Sequence, residues 1–459
     1  MKVIIIGHGP GGMTASGTLR IWDRTAEITN IDTKDFDLYH PCATPYVIGG
    51  KFKDLGNGDA IKEDIPYEKM KIKHLHRHLV EKIDRATKKV QVRNLNTDER
   101  FELEYDKIIL ATGSYNTSPP IPGVKEGKNV FALKWLEEAE EIRLAAEKAK
   151  KVVVIGASAI ALEVGCELAE RGLDVTIFVR SRVLRQAVDP DYSKLIVDLL
   201  TAKLPENLTI KVGENIKEVV LDENGMAYKV ITTNDEELET DFVFAAAGVK
   251  AEITLAKEAG LEIGVTGGLK VDKYLQTSDP DIIGVGDCTE TVDLVRGDPL
   301  SSMLATCAVH MGRIAAYTIA KPGELEFPGT LNNFIVPFSD LHVGSVGYNI
   351  VTAEEKYGEG NVLAVKIKTT DMPHYMPGAR EIYFKVLVVK ETGKIIGAQG
   401  IGYNLVTDNL NIISIAIQAD MTYKQLLEAD LCYAPAINET IYPVTQALEM
   451  VARRLLRER

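Results

Sequence analysis

An α/β fold with two nucleotide-binding βαβ units and an α+β C-terminal region is predicted by three features of this 459-residue sequence. The first is an apolar strand at residues 2–6 that runs into a glycine-rich loop at residues 7–12. The second is a weaker copy of the same pattern at residues 151–179. The third is the tail, residues 330–459, where strand and helix patterns alternate without a glycine-rich loop. A chain of this length holds two to four domains.

Composition narrows the classes of partner. The net charge is −13 and no long run of Lys or Arg is present, which argues against a nucleic-acid partner. The N-terminal apolar run is too short for a signal peptide, and no segment has the apolar length that spans a membrane. The five cysteines form no CxxC or CxxxxC pair. This pattern predicts neither a local dithiol nor a zinc motif, and it favours a reducing, cytoplasmic setting.

The first unit has every part of a dinucleotide-binding βαβ motif. Residues 7–12 read Gly-His-Gly-Pro-Gly-Gly and match Gly-x-Gly-x-x-Gly, between a strand and a predicted helix at residues 13–20. A second strand, residues 28–31, ends at Asp32, twenty residues after Gly12. In such a unit the glycines let the backbone approach a pyrophosphate, and the acid accepts hydrogen bonds from ribose hydroxyls.

The second unit keeps the pattern with substitutions. A strand at residues 151–155 leads into the loop 156–161, and a helix is predicted at residues 162–171. Gly156 is the only one of the three usual glycines, since Ser158 and Ala161 occupy the other two places. Small side chains still permit close approach of a ligand, so we predict a second dinucleotide site.

Arginines replace the acid at the end of the second unit's second strand. Arg180, Arg182 and Arg185 follow that strand. Arginine suits a ribose 2′-phosphate, which an acid would repel. We therefore expect NADPH to be used at least as well as NADH, and the alternative is a solvated basic loop.

One cysteine follows the first unit closely. Cys42 lies between Pro41 and Pro45. Pro45 is compatible with a position in the first turn of a helix. We expect Cys42 to begin a helix, where the N-terminus would lower the thiol pKa and favour a nucleophilic thiolate. The alternative is a buried structural cysteine.

Three histidines alternate in the sequence at His74, His76 and His78 and would share one face of a strand. No carboxylate or cysteine lies close in sequence to complete a set of metal ligands. The basic neighbours Lys73 and Arg77 favour a solvated face. We predict no metal site.

Two later strands also end in small or acidic residues of the kind that bind ligands in α/β sheets. An apolar strand runs from Tyr105 into Ala111-Thr112-Gly113, and a proline-rich crossover follows at residues 119–123. A later strand, residues 281–287, ends in Gly286-Asp287, where ligands bind in open α/β sheets. A helix is predicted from Leu304.

These features resemble the flavin-dependent pyridine nucleotide–disulfide oxidoreductases over essentially the whole chain. Within that family the sequence is similar to the single-cysteine branch of coenzyme A-disulfide reductase, NADH oxidase and NADH peroxidase, whose Cys-x-x-Pro-Tyr motif is matched by Cys42, Pro45 and Tyr46. The resemblance implies a glutathione reductase-like homodimer with two Rossmann-like domains. The implied boundaries are an FAD-binding domain at 1–113 and 246–327, an NAD(P)H-binding domain at 114–245 and a dimerisation domain at 328–459.

The resemblance also implies which residues bind FAD and NADPH or NADH. Asp287 would lie at the ribityl chain, Ala305 with Thr306 near the isoalloxazine, and Glu163 beside the nicotinamide. The full predicted cofactor-binding set is Gly7, Gly9, Gly11, Gly12, Asp32, Thr33, Lys34, Val80, Ala111, Thr112, Gly113, Gly156, Ser158, Ala159, Ile160, Arg180, Arg182, Arg185, Gly248, Gly286, Asp287, Ala305 and Thr306.

The predicted catalytic residues are Cys42, Glu163, Tyr375 and Tyr433. The two tyrosines match the family motifs Tyr-x-Pro-Gly and Tyr-Ala-Pro in the tail. By resemblance they would reach across the two-fold axis to the partner subunit's site, where a phenol can act as a general acid. The alternative is that they pack the dimer interface.

Departures from the branch pattern favour disulfide reduction. Pro10 stands where the peroxidase and oxidase carry an active-site histidine, whereas Leu38 and Pro41 replace a coenzyme A-binding serine and asparagine. We predict electron transfer from NAD(P)H through FAD and Cys42 to a small disulfide or sulfur substrate, namely coenzyme A disulfide, a persulfide or a polysulfide. The alternatives are an NAD(P)H oxidase with a Cys42 sulfenic acid and an electron-transfer flavoprotein with a protein acceptor.

Overall fold

The computed structural model describes residues 1–52, 62–63 and 65–457, which form two compact units. Unit 1 contains Met1–Ala43, Phe52–Thr117 and Gly248–Asn332. Unit 2 contains Thr44–Lys51, Ser118–Ala247 and Asn333–Arg459. Unit 2 thus includes both the second βαβ unit and the tail, and the finer domain boundaries given above stay a prediction.

The N-terminal part of the chain, to Thr117, is rich in strands. Its helices are α1 (Pro10–Trp22), α2 (Thr44–Ile48) and α3 (Tyr67–Met70), with a 3₁₀ turn at Pro41–Ala43. Its strands are β1 (Lys2–Ile6), β2 (Glu27–Ile31), β3 (Leu38–Tyr39), β4 (Lys62–Glu63), β5 (Ile72–Leu75), β6 (His78–Asp84), β7 (Lys89–Asn94), β8 (Arg100–Glu104), β9 (Lys107–Leu110) and β10 (Ser114–Asn116).

Between residues 118 and 332 the chain completes the second βαβ unit and returns to unit 1. The helices are α4 (Leu136–Ala146), α5 (Ala159–Glu170), α6 (Pro190–Lys203), α7 (Thr254–Glu258) and α8 (Ala305–Ala320), with a 3₁₀ turn at Gly286–Cys288. The strands are β11 (Val130–Phe131), β12 (Lys151–Ile155), β13 (Asp174–Val179), β14 (Leu208–Val212), β15 (Ile216–Leu221), β16 (Ala227–Thr232), β17 (Glu237–Glu239), β18 (Phe242–Ala245), β19 (Val249–Ala251), β20 (Leu269–Lys270), β21 (Ile282–Gly284), β22 (Thr289–Val292) and β23 (Pro299–Leu300).

The tail alternates strands and helices, as predicted. The strands are β24 (Phe334–Phe338), β25 (Leu341–Gly347), β26 (Val362–Thr370), β27 (Glu381–Val389) and β28 (Ile395–Gly402). The helices are α9 (Ile350–Tyr357), α10 (Val406–Gln418), α11 (Tyr423–Leu427) and α12 (Pro443–Arg457).

Unit 1 is organised around a parallel sheet with the strand order β21-β9-β1-β2-β5. Strand β1 is apolar because both of its faces are covered. Val3 and Ile5 pack on one side in the cluster that includes Leu19 of α1. Ile4 and Ile6 pack on the other side with residues of β6, β7 and β9. This sheet brings the ends of β1, β2 and β9 to one edge.

Unit 2 contains two five-stranded sheets of different kinds. The first has the order β11-β18-β12-β13-β14 and is parallel throughout. The second, β24-β25-β28-β27-β26, is antiparallel throughout and belongs to the tail. The predicted α/β fold class with two nucleotide-binding βαβ units and an α+β tail is confirmed. Within the described ranges, the helices are all too short or too polar to cross a membrane.

Candidate active site

Two glycines of the first loop are required by close backbone packing. Gly7 has φ +92°, and a Cβ added there would lie 2.2 Å from the carbonyl oxygen of Ala111. A Cβ on Gly12 would lie 2.1 Å from the carbonyl oxygen of Gly7. Gly12 therefore lets α1 lie close to the end of β1, as the third glycine of the motif does in dinucleotide folds, and Gly7 lets the end of β1 lie close to the turn after β9.

Gly9 is different, because none of the residues that the structure describes requires a glycine there. Its φ of −75° is open to any residue, and a Cβ would meet no atom of the described residues within 4 Å. The space lies at the N-terminus of the 13-residue helix α1, where backbone N–H groups favour a phosphate. The loop residues therefore fit the pyrophosphate of a dinucleotide.

Asp32 is oriented by the loop that precedes it and the turn that follows it. One carboxylate oxygen accepts the backbone N–H of His8 at 2.6 Å, and the other accepts the N–H of Lys34 at 2.9 Å. Thr33 is exposed in the same turn, whereas Val80 is buried in β6. The acid therefore lies beside the glycine loop, as the acid of a dinucleotide-binding motif does.

The predicted 111–113 turn is tied to the segment that returns from unit 2. The Thr112 hydroxyl donates to the carbonyl oxygen of Glu252 at 2.6 Å, and the N–H of Glu252 donates to the carbonyl oxygen of Gly113 at 2.9 Å. Asp287 accepts a 2.6 Å hydrogen bond from the hydroxyl of Ser114. Gly248 and Gly286 have positive φ values at the two ends of this region, +99° and +74°. These predicted residues all lie in unit 1.

Helix α8 presents its first turn to solvent within unit 1. Ala305 and Thr306 are exposed there, while the rest of the helix crosses α1 closely. A Cβ on Gly312 would lie 2.3 Å from the carbonyl oxygen of Gly11. Gly312 therefore lets the two helices approach. A Cβ on Gly11 would in turn lie 3.3 Å from the carbonyl oxygen of Ala308, so Gly11 has a packing role as well as its place in the loop.

The second loop retains the backbone geometry of the first. Gly156 has φ +143°, and a Cβ there would lie 2.7 Å from the carbonyl oxygen of Ala246. Ser158 caps α5, since its Oγ accepts the N–H of Ala161 at 3.3 Å. Ala159 and Ile160 form the first turn of α5, which begins three residues earlier than predicted.

Glu163 is half-buried on α5, one turn before another glutamate. Burial is the main cause that raises its pKa to about 8, and the charge of Glu167 adds to the effect. Glu167 is itself buried and accepts a 2.6 Å hydrogen bond from Lys51. Glu163 is therefore largely protonated at neutral pH and can donate a hydrogen bond as well as accept one.

The three predicted phosphate-binding arginines divide into two kinds. Arg182 is half-buried, and its guanidinium donates to the carbonyl oxygens of Val188 and Arg185 and to the hydroxyl of Ser193. It therefore holds its own loop in shape, and the prediction that it donates to a phosphate is not supported by this geometry. Arg180 and Arg185 are exposed.

Cys42 is exposed and lies in the 3₁₀ turn Pro41–Ala43. The expectation that it begins a helix is wrong in detail, because α2 begins two residues later, at Thr44, and has only five residues. The chain passes from unit 1 to unit 2 between Ala43 and Thr44. Pro45 lies in the first turn of α2, as predicted.

The other cysteines differ from Cys42 in burial or in place. Burial raises the pKa of Cys166 to about 12 and also raises the pKa of Cys288 and of Cys307. Cys432 is exposed but lies in the tail. No disulfide joins any two cysteines in the described part of the chain. Cys42 is thus the one exposed cysteine among the residues of unit 1 that the structure describes.

The two predicted tyrosines of the tail meet within one chain. Tyr375 and Tyr433 are both exposed, and the neighbouring hydroxyl of Tyr433 is the first cause of a raised pKa at Tyr375. The sequence places them 58 residues apart, so only the fold of unit 2 brings the two phenols together.

The histidine prediction is wrong in two respects. His74 lies on β5 and His78 on β6, while His76 lies in the turn between them, so the three do not share a strand face. All three are half-buried rather than solvated. The ring of His74 stacks on that of His76 with centroids 4.2 Å apart. The ring of His8 contacts the ring of His74 edge-on, with centroids 4.7 Å apart.

Residues 1–312 match the family model described as pyridine nucleotide-disulphide oxidoreductase, and residues 334–444 match the dimerisation domain of that family. The chain belongs to the pyridine nucleotide-disulphide oxidoreductases. It is an oxidoreductase, and the predicted cofactors, FAD with NADPH or NADH, agree with this family.

Three comparisons place the chain more closely. It is 32% identical to an "NADH oxidase" of Methanocaldococcus jannaschii, over 99% of both chains. It is also 32% identical to an "NAD(P)H sulfur oxidoreductase (CoA-dependent)" of Pyrococcus furiosus, again over 99% of both. The solved structure of an NAD-dependent persulfide reductase from A. fulgidus is 31% identical, with a TM-score of 0.91 over 99% of this chain and 83% of that chain.

Several polar contacts within each unit carried no sequence signal. Asp37 and Tyr67 surround the His8 ring, and Lys51 pairs with Glu167 across 116 residues of sequence. None of these belongs to a motif. Their roles depend on neighbours that are distant in the chain, which a local pattern does not contain.

We expect the Arg180→Ala/Arg185→Ala variant to raise the KM for NADPH at least about tenfold and to leave that for NADH within about twofold. The exposed guanidiniums can donate charge-assisted hydrogen bonds to a 2′-phosphate, each worth roughly 1.5–3 kcal/mol. Steady-state kinetics with both nucleotides measures the change. Lys194→Ala, an exposed cation on α6, is the control. A strong wild-type preference for NADH would show that these arginines face only solvent.

Proposed function

We propose that this chain forms a homodimer that uses NAD(P)H and FAD to reduce a sulfur–sulfur bond of a small substrate through Cys42. Coenzyme A disulfide, a coenzyme A persulfide and polysulfide are the candidate substrates. The observation that carries the proposal is the exposed thiol of Cys42, ten residues after Asp32 in the unit that contains the first glycine loop. The names of the Pyrococcus furiosus and A. fulgidus relatives, which mention sulfur and persulfide reduction, support it.

The proposed reaction consumes one NAD(P)H and one proton for each disulfide and yields two thiols. The Cys42 thiolate attacks one sulfur of the disulfide, which forms a mixed disulfide with Cys42 and releases the first thiolate. Two electrons from NAD(P)H then break the mixed disulfide, which restores the Cys42 thiolate and releases the second thiol. FAD, when bound, supplies the two-electron relay between nicotinamide and sulfur.

The chain's own residues supply binding and proton transfer. Gly7, Gly9 and Asp32 would hold the FAD pyrophosphate and ribose. The protonated carboxyl of Glu163 would hydrogen-bond the nicotinamide end of NAD(P)H. The remaining predicted cofactor-binding residues keep their implied roles in this proposal, except Arg182, whose guanidinium holds its own loop.

The paired tyrosines would protonate the departing thiolate. In a homodimer built through residues 334–444, Tyr375 and Tyr433 of each chain would serve the site of the partner. Their exposure and the proximity of their two hydroxyls support this role, since an exposed phenol is accessible to a departing thiolate and can donate a proton to it.

The test is an acceptor screen with the FAD-loaded protein. NADPH oxidation is followed anaerobically with coenzyme A disulfide, polysulfide or oxidised glutathione, and separately with oxygen alone. We expect one of the coenzyme A or polysulfide acceptors to exceed oxygen by at least about tenfold in kcat/KM, with two thiols formed per NADPH for coenzyme A disulfide. Faster oxygen consumption without thiol release would instead identify an NAD(P)H oxidase, the activity in the name of the Methanocaldococcus jannaschii relative.

A further inference from the structure

Ligating side chains from separate segments of unit 1 meet beside the first glycine loop. Asp37 follows β2, His74 lies on β5, and His76 lies in the turn after β5. They come together because β2 and β5 are parallel neighbours in the sheet, with Asn30 opposite His74. The carboxylate that the local sequence did not offer therefore arrives from an earlier strand end.

The three residues are close enough to share an ion. Each offers one ligand atom, and these atoms all lie within 4.8 Å of one another. Nε2 of His76 is 2.7 Å from a carboxylate oxygen of Asp37. A tetrahedral Zn²⁺ with ligands at 2.0–2.1 Å separates its ligand atoms by about 3.3 Å, so the widest pair needs to close by no more than about 1.5 Å.

His74 is the decisive member of the group. Both of its ring nitrogens are buried, and neither has a hydrogen-bond partner among the described residues. A buried imidazole normally has at least one partner.

We propose that Asp37, His74 and His76 bind one divalent transition-metal ion of the Zn²⁺ type. Two imidazoles and one carboxylate form a ligand set of the kind that this class of ion prefers, and a water can complete the tetrahedron. A simple ion pair between His76 and Asp37 explains only the 2.7 Å contact and leaves both nitrogens of His74 unexplained.

Outer contacts orient the ligands, as they do in established metal sites. The second carboxylate oxygen of Asp37 accepts the N–H of Ile65 at 2.8 Å, which leaves the first oxygen directed at His76. His8 contacts the carbonyl oxygen of Asp37 through Nδ1 at 3.1 Å, and the hydroxyl of Tyr67 through Nε2 at 3.1 Å. Since Asp37 lies five residues before Cys42, the ion would tie the segment that leads to Cys42 to strand β5.

The experiment measures zinc binding to the FAD-loaded protein. The exposed thiols are first removed by Cys42→Ser/Cys432→Ser, so that sulfur ligands do not contribute. Equilibrium dialysis against ZnCl₂, with metal measured by mass spectrometry, should give one Zn²⁺ per chain. In that background, His74→Asn and Asp37→Asn should each weaken binding at least about tenfold. The matched control is His310→Asn, a half-buried histidine of α8 outside the group, which should bind zinc unchanged.

A second readout reports on the segment itself. Zinc should slow backbone amide exchange of residues 33–42 in the parent protein and should not do so in the Asp37→Asn variant. Flavin absorbance and circular dichroism verify that each variant is folded, and Asp37→Asn carries the test if His74→Asn does not fold. The proposal is overturned if the parent binds no zinc at a ZnCl₂ concentration of about 100 µM. It is also overturned if the folded variants bind zinc as tightly as the parent.

Discussion

The Cys42→Ser variant is expected to retain FAD and its reduction by NAD(P)H but to lose sulfur-substrate turnover by at least roughly three orders of magnitude. A serine hydroxyl has nearly the same size, so the 3₁₀ turn Pro41–Ala43 should remain intact. It lacks the ionised sulfur that attacks a disulfide and then accepts electrons. Anaerobic flavin bleaching measures the first half of the reaction, and thiol release from coenzyme A disulfide measures the second.

Matched cysteine variants distinguish Cys42 from the other thiols. Cys432→Ser removes the other exposed cysteine, and Cys166→Ser removes a buried thiol whose pKa is raised to about 12 by burial. Both variants should keep turnover within about twofold. Cys166 is buried, and Cys432 lies in the tail rather than in unit 1. Full activity in Cys42→Ser would exclude Cys42 as the redox group. Loss of activity in a folded Cys432→Ser variant would require a second thiol in the reaction.

The Lys385→Met variant is expected to destabilise the protein by about 3–5 kcal/mol, because it leaves a buried carboxylate without its counter-ion. Nζ of Lys385 lies 2.7 Å from a carboxylate oxygen of Asp189, and the two side chains are 6% and 1% exposed. The same Nζ lies 4.5 Å from the ring centroid of Tyr192. Asp189 also accepts the N–H of Ile350 at 2.7 Å, so this network joins the segment after β13 to the tail within unit 2.

Thermal unfolding of the FAD-loaded protein measures this cost as a fall in the unfolding midpoint of roughly 3–5 °C. The matched control is Lys366→Met, which removes the neighbouring lysine that contacts Asp191 at the surface, with its side chain 49% exposed. An exposed pair contributes about 1 kcal/mol or less, so the midpoint should fall only slightly. Equal falls in the unfolding midpoint for the two variants would show that the burial of Lys385 does not determine its contribution to stability. The double variant Lys385→Met/Asp189→Asn should recover part of the loss, since it removes the uncompensated charge.

The βαβ units could be predicted from sequence because each depends on short-range patterns. A buried parallel strand is apolar at every position, and the glycines that follow it at fixed spacing are required by contacts between neighbouring segments, such as Gly12 against Gly7. Strand β1 has the predicted bounds, and α1 begins earlier than predicted because Pro10 suits the first turn of a helix.

The histidines and the arginines show where local patterns are insufficient. Alternation predicted one strand face for His74, His76 and His78, but a turn interrupts the strand after Leu75. Arg182 has the same sequence context as Arg180 and Arg185, and only the bend of its own loop directs its guanidinium to carbonyl oxygens. Periodicity identifies an element, whereas the direction of a side chain depends on how the chain bends after it.

The sequence by itself determined the fold class, the two nucleotide loops, the single-cysteine motif and the family, because these depend on residues within a few turns of one another. Only the tertiary structure decided which charged and ligating groups meet. Asp37 with His74, Lys51 with Glu167 and Lys385 with Asp189 are separated by 37, 116 and 196 residues. Such pairs form when sheet order and helix packing bring distant segments together, and burial then changes their contribution to stability.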